Sequence, residues 1–435
     1  MINYNILFLS FLASLLIGVV AVSMIKSMWA RATLLLFHVS LFINSGVAPA
    51  YYDVPVWFAW YHFAFLIACS LSFVFFWRIC SPFSVSAARK LELAAPFFLQ
   101  KRLTVWILVV FYGALLSSLI YPELRLADLF ELRPPDIRTW FASRFDPVEY
   151  DAVAAITRYI RLLVFPFVFI AFFRLCHRPL MVIGCVALAL YIQYVDQQYI
   201  ARGSVLLYAL SIGLFYFIKV PASRKIIVAT GFLALPLLGV LLEFWMVVRL
   251  GEAYEFRGVL QSLETILIMQ TGFAREAGLI LIGSGRHVDL EQYFLWILTL
   301  PLPKALVGGI EGARINYEIS EIVLGLPRGY PGFYVILGGV VSESVYIYGD
   351  KLFWLHGVML GAVGSVLIRL LSAVSYLAFL TAWTVVFFSY KMPGAGVGAV
   401  LPSFANEYML LYVVMWYIAS RYSRHRSGSR KGGSL

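Results

Sequence analysis

The sequence predicts an all-α integral membrane protein with about eleven transmembrane helices (a range of about 11–13) and one large outer loop. Three observations predict it. Only 13% of the 435 residues are charged and 62% are hydrophobic, whereas a soluble domain carries about 25% charged residues. The apolar residues gather in blocks of about 17–23, the length that crosses a bilayer core. Lys and Arg collect on alternate connections between those blocks, as they do in cytoplasmic loops. So few charges leave no polar coat for water, so lipid must be the solvent for most of the surface.

The blocks fall at residues 6–24, 32–48, 56–77, 103–121, 153–173, 179–195, 203–218, 226–248, 352–370, 374–390 and 403–420. The first lacks the basic flank and small-residue cleavage site of a signal peptide, so it is read as a helix. The 26 Tyr, 11 Trp and 35 Phe suit helix ends at headgroup level. Cys69, Cys80, Cys176 and Cys185 show no CxxC spacing and are read as small apolar or interfacial residues. No soluble domain or low-complexity linker interrupts the pattern, so 1–435 is one polytopic domain.

Orientation follows from the short connections. One side carries Lys26 and Arg31, then Arg78, Arg89, Lys90, Lys101 and Arg102, then Arg174 and Arg178. Lys219, Arg224, Lys225, Arg369 and the basic tail at 421–431 complete it. That side holds 18 basic residues and one acid, Glu92, while the rest of the chain holds 16 basic and 22 acidic residues. The split predicts an outside N-terminus, an inside C-terminus and an odd number of spans. The net charge of +11 therefore reports topology and attraction to anionic lipid, and no nucleic-acid partner is expected.

Two outer segments stand apart. Residues 122–151 mix both charge signs. Residues 249–351 are too polar to span and too apolar for a free loop, with half-length apolar runs at 277–283, 293–300 and 332–348. Irregular backbone enters a membrane only where protein or water satisfies its polar groups. This segment is therefore expected to hold interfacial helices and a re-entrant stretch around 331–349. A twelfth span there, with a partner elsewhere, is the other reading.

Charges near a membrane are costly and point to function. Arg202 opens the seventh block, beside the free N–H groups of a helix start, where it is placed to seat a phosphate or to snorkel toward headgroups. Arg158 and Arg161 are three apart and share a helix face, for an anion or for an acidic partner. In the long segment, Gly283–His287 reads Gly-Ser-Gly-Arg-His, a flexible turn carrying the cation Arg286 and the imidazole of His287, which can move a proton near neutral pH. Residues 327–332 read Pro-Arg-Gly-Tyr-Pro-Gly, a rigid turn presenting Arg328. Glu343 lies within an apolar run and suits a general base or a buried ion pair. The six His residues are isolated, and HExxH, P-loop and GxSxG patterns are absent. No metal and no cofactor is expected.

At this point the second half resembles the Wzy-type O-antigen and exopolysaccharide repeat-unit polymerases. The resemblance rests on Arg-Gly-Ser at 202–204, Phe-Arg-Gly at 256–258, LPLPKALVGG at 300–309, Asn316, Pro331 and Gly332, Glu343, and Gly349 before the next helix. It covers roughly residues 195–390. The family often has more Arg around its LP-x-P segment, where this chain has Pro303 and Lys304.

The resemblance implies a cytoplasmic-membrane glycosyltransferase with a periplasmic active site. Such an enzyme moves a growing glycan from one undecaprenyl pyrophosphate carrier onto a newly flipped lipid-linked repeat unit. Its partners would be that donor and acceptor, membrane lipid and a chain-length regulator of the Wzz type. A pyrophosphate leaving group needs cations where charge develops, and an acceptor hydroxyl needs a base. On this expectation Arg202, Arg257, Arg286 and Arg328 bind pyrophosphate, with Arg158, Arg161 and Arg314 in reserve. Glu343 leads as base, His287 follows, and Tyr330 and Asn316 contact sugar. An O-antigen ligase is the nearest alternative, kept open by the Arg286–His287 pair. A transporter is the second, although no internal repeat is visible and the charges lie toward one face.

Overall fold

The computed structural model describes residues 3–51, 53–80, 101–120, 164–197, 202–249, 254–300, 315–330 and 333–405, with single positions 86, 92, 153, 160, 161, 413 and 417. Among the described residues every regular element is helical. The first helix has a surface suited to lipid. In α1 (Tyr4–Ser23) the buried positions are Ser10, Ser14, Gly18 and Ala21, while Phe8, Leu9, Leu16 and Val19 are exposed. A water-soluble helix has the reverse pattern. Small and hydroxyl residues facing inward allow close helix approach and cross-helix hydrogen bonds inside a membrane.

Helix α2 (Met28–Leu41) continues into a π turn (Phe42–Gly46) and a short 3-10 turn (Ala48–Ala50). The π turn loosens the usual ladder, and side chains bind back to the carbonyls: Asn44 Nδ2 donates to Ser40 O at 2.7 Å and Ser45 Oγ to Leu41 O at 2.9 Å. Gly46 leaves room for the His62 ring, which a Cβ would meet at 2.9 Å. Helix α3 (Ala59–Ile79) carries His62, whose two ring nitrogens contact Ser14 and Ser45 hydroxyls at 3.1 and 2.8 Å. Helices α4 (Lys101–Ile120), α5 (Val164–Leu175) and α6 (Pro179–Gln197) pack on one another, and α7 (Arg202–Lys219) leads into α8 (Arg224–Arg249).

Among the described residues, four helical stretches are long and apolar enough to cross a membrane: Tyr4–Ser23, Met28–Ala50, Val56–Ile79 and Gly339–Ser372. A fifth arises if Gly203–Lys219 and Pro221–Ala234, bent by 119°, form one broken span. The expected span at 403–420 lies largely, and the outer segment 122–151 wholly, outside the described residues.

The segment 249–351 departs from a loop with half-length runs. It contains α9 (Val259–Ser284), 26 residues long, then α10 (Leu290–Thr299) and α11 (Ile315–Leu324). Glu264, Arg275 and Glu276 interrupt the apolar run of α9 in sequence. They are accommodated at its surface: Arg275 lies 3.3 Å from Asp53 and 4.8 Å from the Tyr51 ring centroid.

Helix α12 (Gly339–Ser372) is two helices meeting at Gly349, whose φ of 74° and ψ of 173° are non-helical. Residues 339–348 form a half-length helix preceded by non-helical chain at 333–338. Residues 350–372 pack lengthwise on α3. Gly357, Gly361 and Ser365 recur every four residues on that contact, and a Cβ at Gly357 would lie 3.0 Å from Phe65 O. Such spacing lets two backbones approach, and Ser72 Oγ donates to Val358 O at 2.6 Å across the seam. The remainder is α13 (Ala378–Val386), a second π turn (Phe387–Lys391), and the short helices α14 (Met392–Ala395) and α15 (Val397–Ser403). Phe379 of α13 stacks on Phe172 of α5 with ring centroids 3.6 Å apart.

Candidate functional site

A small core separate from the main one organises the segment 249–351. Leu281, Val288, Tyr293, Trp296, Ile315, Ile319, Tyr346 and Ile347 form it. It joins the C-terminal end of α9 to α10, α11 and the half-length helix 339–348. Glycine contacts hold α9 against that helix: a Cβ at Gly278 would lie 3.0 Å from Ser342 Oγ, and one at Gly338 3.1 Å from the Ala277 Cβ.

The Gly-Ser-Gly-Arg-His turn ends α9. Gly285 is left-handed, φ 61°, the usual way to close a helix C-terminus. Ser284 Oγ accepts from the Arg286 amide at 3.2 Å, and the Val288 amide donates to Tyr346 O at 3.1 Å. That bond ties the turn to the end of the half-length helix. Arg286 and His287 are both exposed. The His287 ring lies against the Gly349 break, with Cε1 3.4 Å from where a Cβ on Gly349 would stand.

Opposite charges line the same core. Tyr346 OH donates to Glu318 Oε2 at 2.8 Å, and Arg286 and Glu321 act electrostatically on that phenol. Glu321 Oε1 accepts from the Arg328 amide at 3.0 Å, and the Arg328 Nε lies 3.6 Å from it, beyond hydrogen-bond range. The Arg328 guanidinium sits 4.7 Å from the Tyr317 ring centroid, a cation–π contact. Tyr330 is 57% exposed on the turn that Gly325 and Gly329 shape with φ of 65° and 83°.

Glu343 is 1% exposed. Its two carboxylate oxygens accept from the amides of Val397 and Gly398. The carboxylate thus closes the start of α15, where orphan N–H groups favour an anion. Asn316 joins it: a Cβ at Gly398 would meet Asn316 Oδ1 at 2.7 Å. Gly396, at φ 76° and ψ 169°, also leaves space that the carboxylate fills.

The remaining expected residues are placed as follows. Arg202 is the first residue of α7. Arg257 is exposed on non-helical chain just before α9. Arg161 is 4% exposed. Arg158 and Arg314 lie outside the described residues, as does most of LPLPKALVGG. Among the described residues no group of three or more His, Cys, Asp or Glu side chains is arranged to hold a metal ion.

The structure therefore brings Arg286, His287, Asn316 and Glu343 to one core, while Arg328 is held on α11 by Glu321 and Tyr317. Three participants escaped sequence reasoning. Glu318 and Tyr346 were ordinary members of a charged and an apolar run. The amides at 397–398 lie more than fifty residues from Glu343, and only their flanking glycines, Gly396 and Gly398, hinted at close approach. No known protein family, curated protein or solved structure matches the chain.

Proposed function

We propose that this chain is a metal-independent membrane glycosyltransferase that polymerises undecaprenyl-pyrophosphate-linked oligosaccharide repeat units into O-antigen or exopolysaccharide. On this reading it has about eleven spans in a bacterial cytoplasmic membrane, with its N-terminus and the segment 249–351 periplasmic and its C-terminus cytoplasmic. The observation that carries the proposal is the gathering of Arg286, His287 and the Glu318–Tyr346 pair around one small core at a broken half-length helix. Cations beside a break in a membrane-embedded helix suit an anionic lipid headgroup whose leaving oxygen gains charge.

Roles follow from access. Glu343 is buried, with its oxygens accepting from the Val397 and Gly398 amides, so it acts as a positioning residue that fixes the start of α15. His287, exposed at the Gly349 break, is the base with a path to an acceptor hydroxyl. Arg286 and Arg257 are exposed cations for the pyrophosphate. Arg202 adds a helix start, and Arg328, held by Glu321 and Tyr317, orients the turn that presents Tyr330. Donor and acceptor glycolipids, membrane lipid and a Wzz-type chain-length regulator are the partners on this reading.

The exposed Arg286–His287 pair also suits a ligase that moves finished glycan to another acceptor. Lipid extracts from cells lacking the gene separate the two. Accumulation of single-repeat lipid-linked oligosaccharide supports the polymerase, whereas accumulation of long lipid-linked polymer contradicts it and supports the ligase.

A further inference from the structure

Helices α4, α5 and α6 enclose a cavity of about 640 Å³ that the glycosyltransferase reading does not use. Its wall on α4 is one helix face: Thr104, Ile107, Phe111 and Leu115 follow the three-to-four spacing. Leu108 and Tyr112 also line it and are exposed on the bundle's flank, so the cavity reaches the lipid-facing surface. From Thr104 to Leu115 the helix rises about 16 Å, close to the thickness of one leaflet's hydrocarbon, about 15 Å. On the opposing wall, Gly184 of α6 adds room, since a Cβ there meets nothing within 4 Å.

The cavity is apolar along most of its length and basic at one place. Arg174, at the end of α5, and Arg178, in the turn before α6, both line it. An apolar slot one leaflet deep with two guanidinium groups at the turn between its helices matches a phosphate headgroup above an acyl chain. We propose that this cavity binds one anionic diacyl phospholipid, its phosphate at Arg174 and Arg178 and one acyl chain along α4.

Native mass spectrometry tests this on the full chain, released from micelles containing equal phosphatidylglycerol and phosphatidylcholine. The wild-type protein retains one phosphatidylglycerol in preference. Arg174→Gln/Arg178→Gln lowers that preference about 30-fold, and Arg174→Lys/Arg178→Lys keeps most of it. Gly184→Phe fills the cavity and lowers retention of the bound lipid while the helical circular dichroism stays at the wild-type level. Equal retention of the two lipids by the wild type overturns the proposal. So does unchanged preference in the double Gln variant. If that variant does not fold, undiminished retention by Gly184→Phe overturns it.

Discussion

A carboxylate sealed inside the fold has no path to a proton on a substrate, and Glu343, 1% exposed with both oxygens accepting from backbone amides, is such a group. Its burial and its partners at Val397 and Gly398 make it a clamp between the half-length helix and α15. Removing it leaves two buried donors without acceptors, at about 1–3 kcal/mol each. Glu343→Ala should therefore destabilise the folded chain by about 2–6 kcal/mol, read as a lower unfolding temperature in detergent. Glu343→Gln, which keeps one accepting oxygen, should recover part of the loss. At this scale the sequence was half legible. An acid inside an apolar run marked Glu343 as consequential, but its partners lie far along the chain and are backbone groups, which no side-chain pattern announces. His287 was legible through its glycine-rich turn, while its place against Gly349 required the fold.

Among the elements, the broken helix α12 decides where the candidate residues sit. Gly349 adopts a backbone conformation that only glycine occupies without strain, and the His287 ring lies beside it. The break is bridged by Ser344, whose hydroxyl accepts from the buried His356 Nδ1–H at 2.8 Å and donates to Val340 O. Gly349→Ala should cost about 1–3 kcal/mol through backbone strain and shift the break beside which His287 sits. Thermal unfolding measures the first effect, and loss of polymer length in cells the second. The apolar blocks gave the bounds of α1, α4 and α6 to within a few residues, because each is a continuous run without charge. Helix α9 was missed because Glu264, Arg275 and Glu276 break its apolar run. Its helicity comes from packing on α8, α11 and α12 and from the Arg275 contacts with Asp53 and Tyr51. The π turns were equally hidden, since the first has Asn44 and Ser45 binding back to local carbonyls and the second has its Tyr390 carbonyl bound by the distant Ser40 hydroxyl.

For the whole molecule, the charge asymmetry makes a prediction about sidedness. In a chain whose four native cysteines are replaced by Ser, Arg286→Cys should react with a membrane-impermeant thiol reagent added outside spheroplasts. Arg426→Cys should react only after the membrane is opened. The reverse labelling pattern would contradict the orientation read from Lys and Arg. The main core binds the long helices into a bundle, and the smaller one fixes α10, α11 and the half-length helix beside it. On the glycosyltransferase proposal, that arrangement is the floor on which a lipid-linked substrate rests beside the exposed cations.

Reconstitution tests the central claim most directly: the purified full chain in liposomes is supplied with undecaprenyl-pyrophosphate-linked repeat unit, and the glycolipid products are resolved by size. The wild type is predicted to give a ladder of multi-repeat products, slowed about 10²–10⁴-fold by His287→Ala without loss of thermal stability. Single-repeat glycolipid remaining as the sole species with folded wild-type protein would contradict the account.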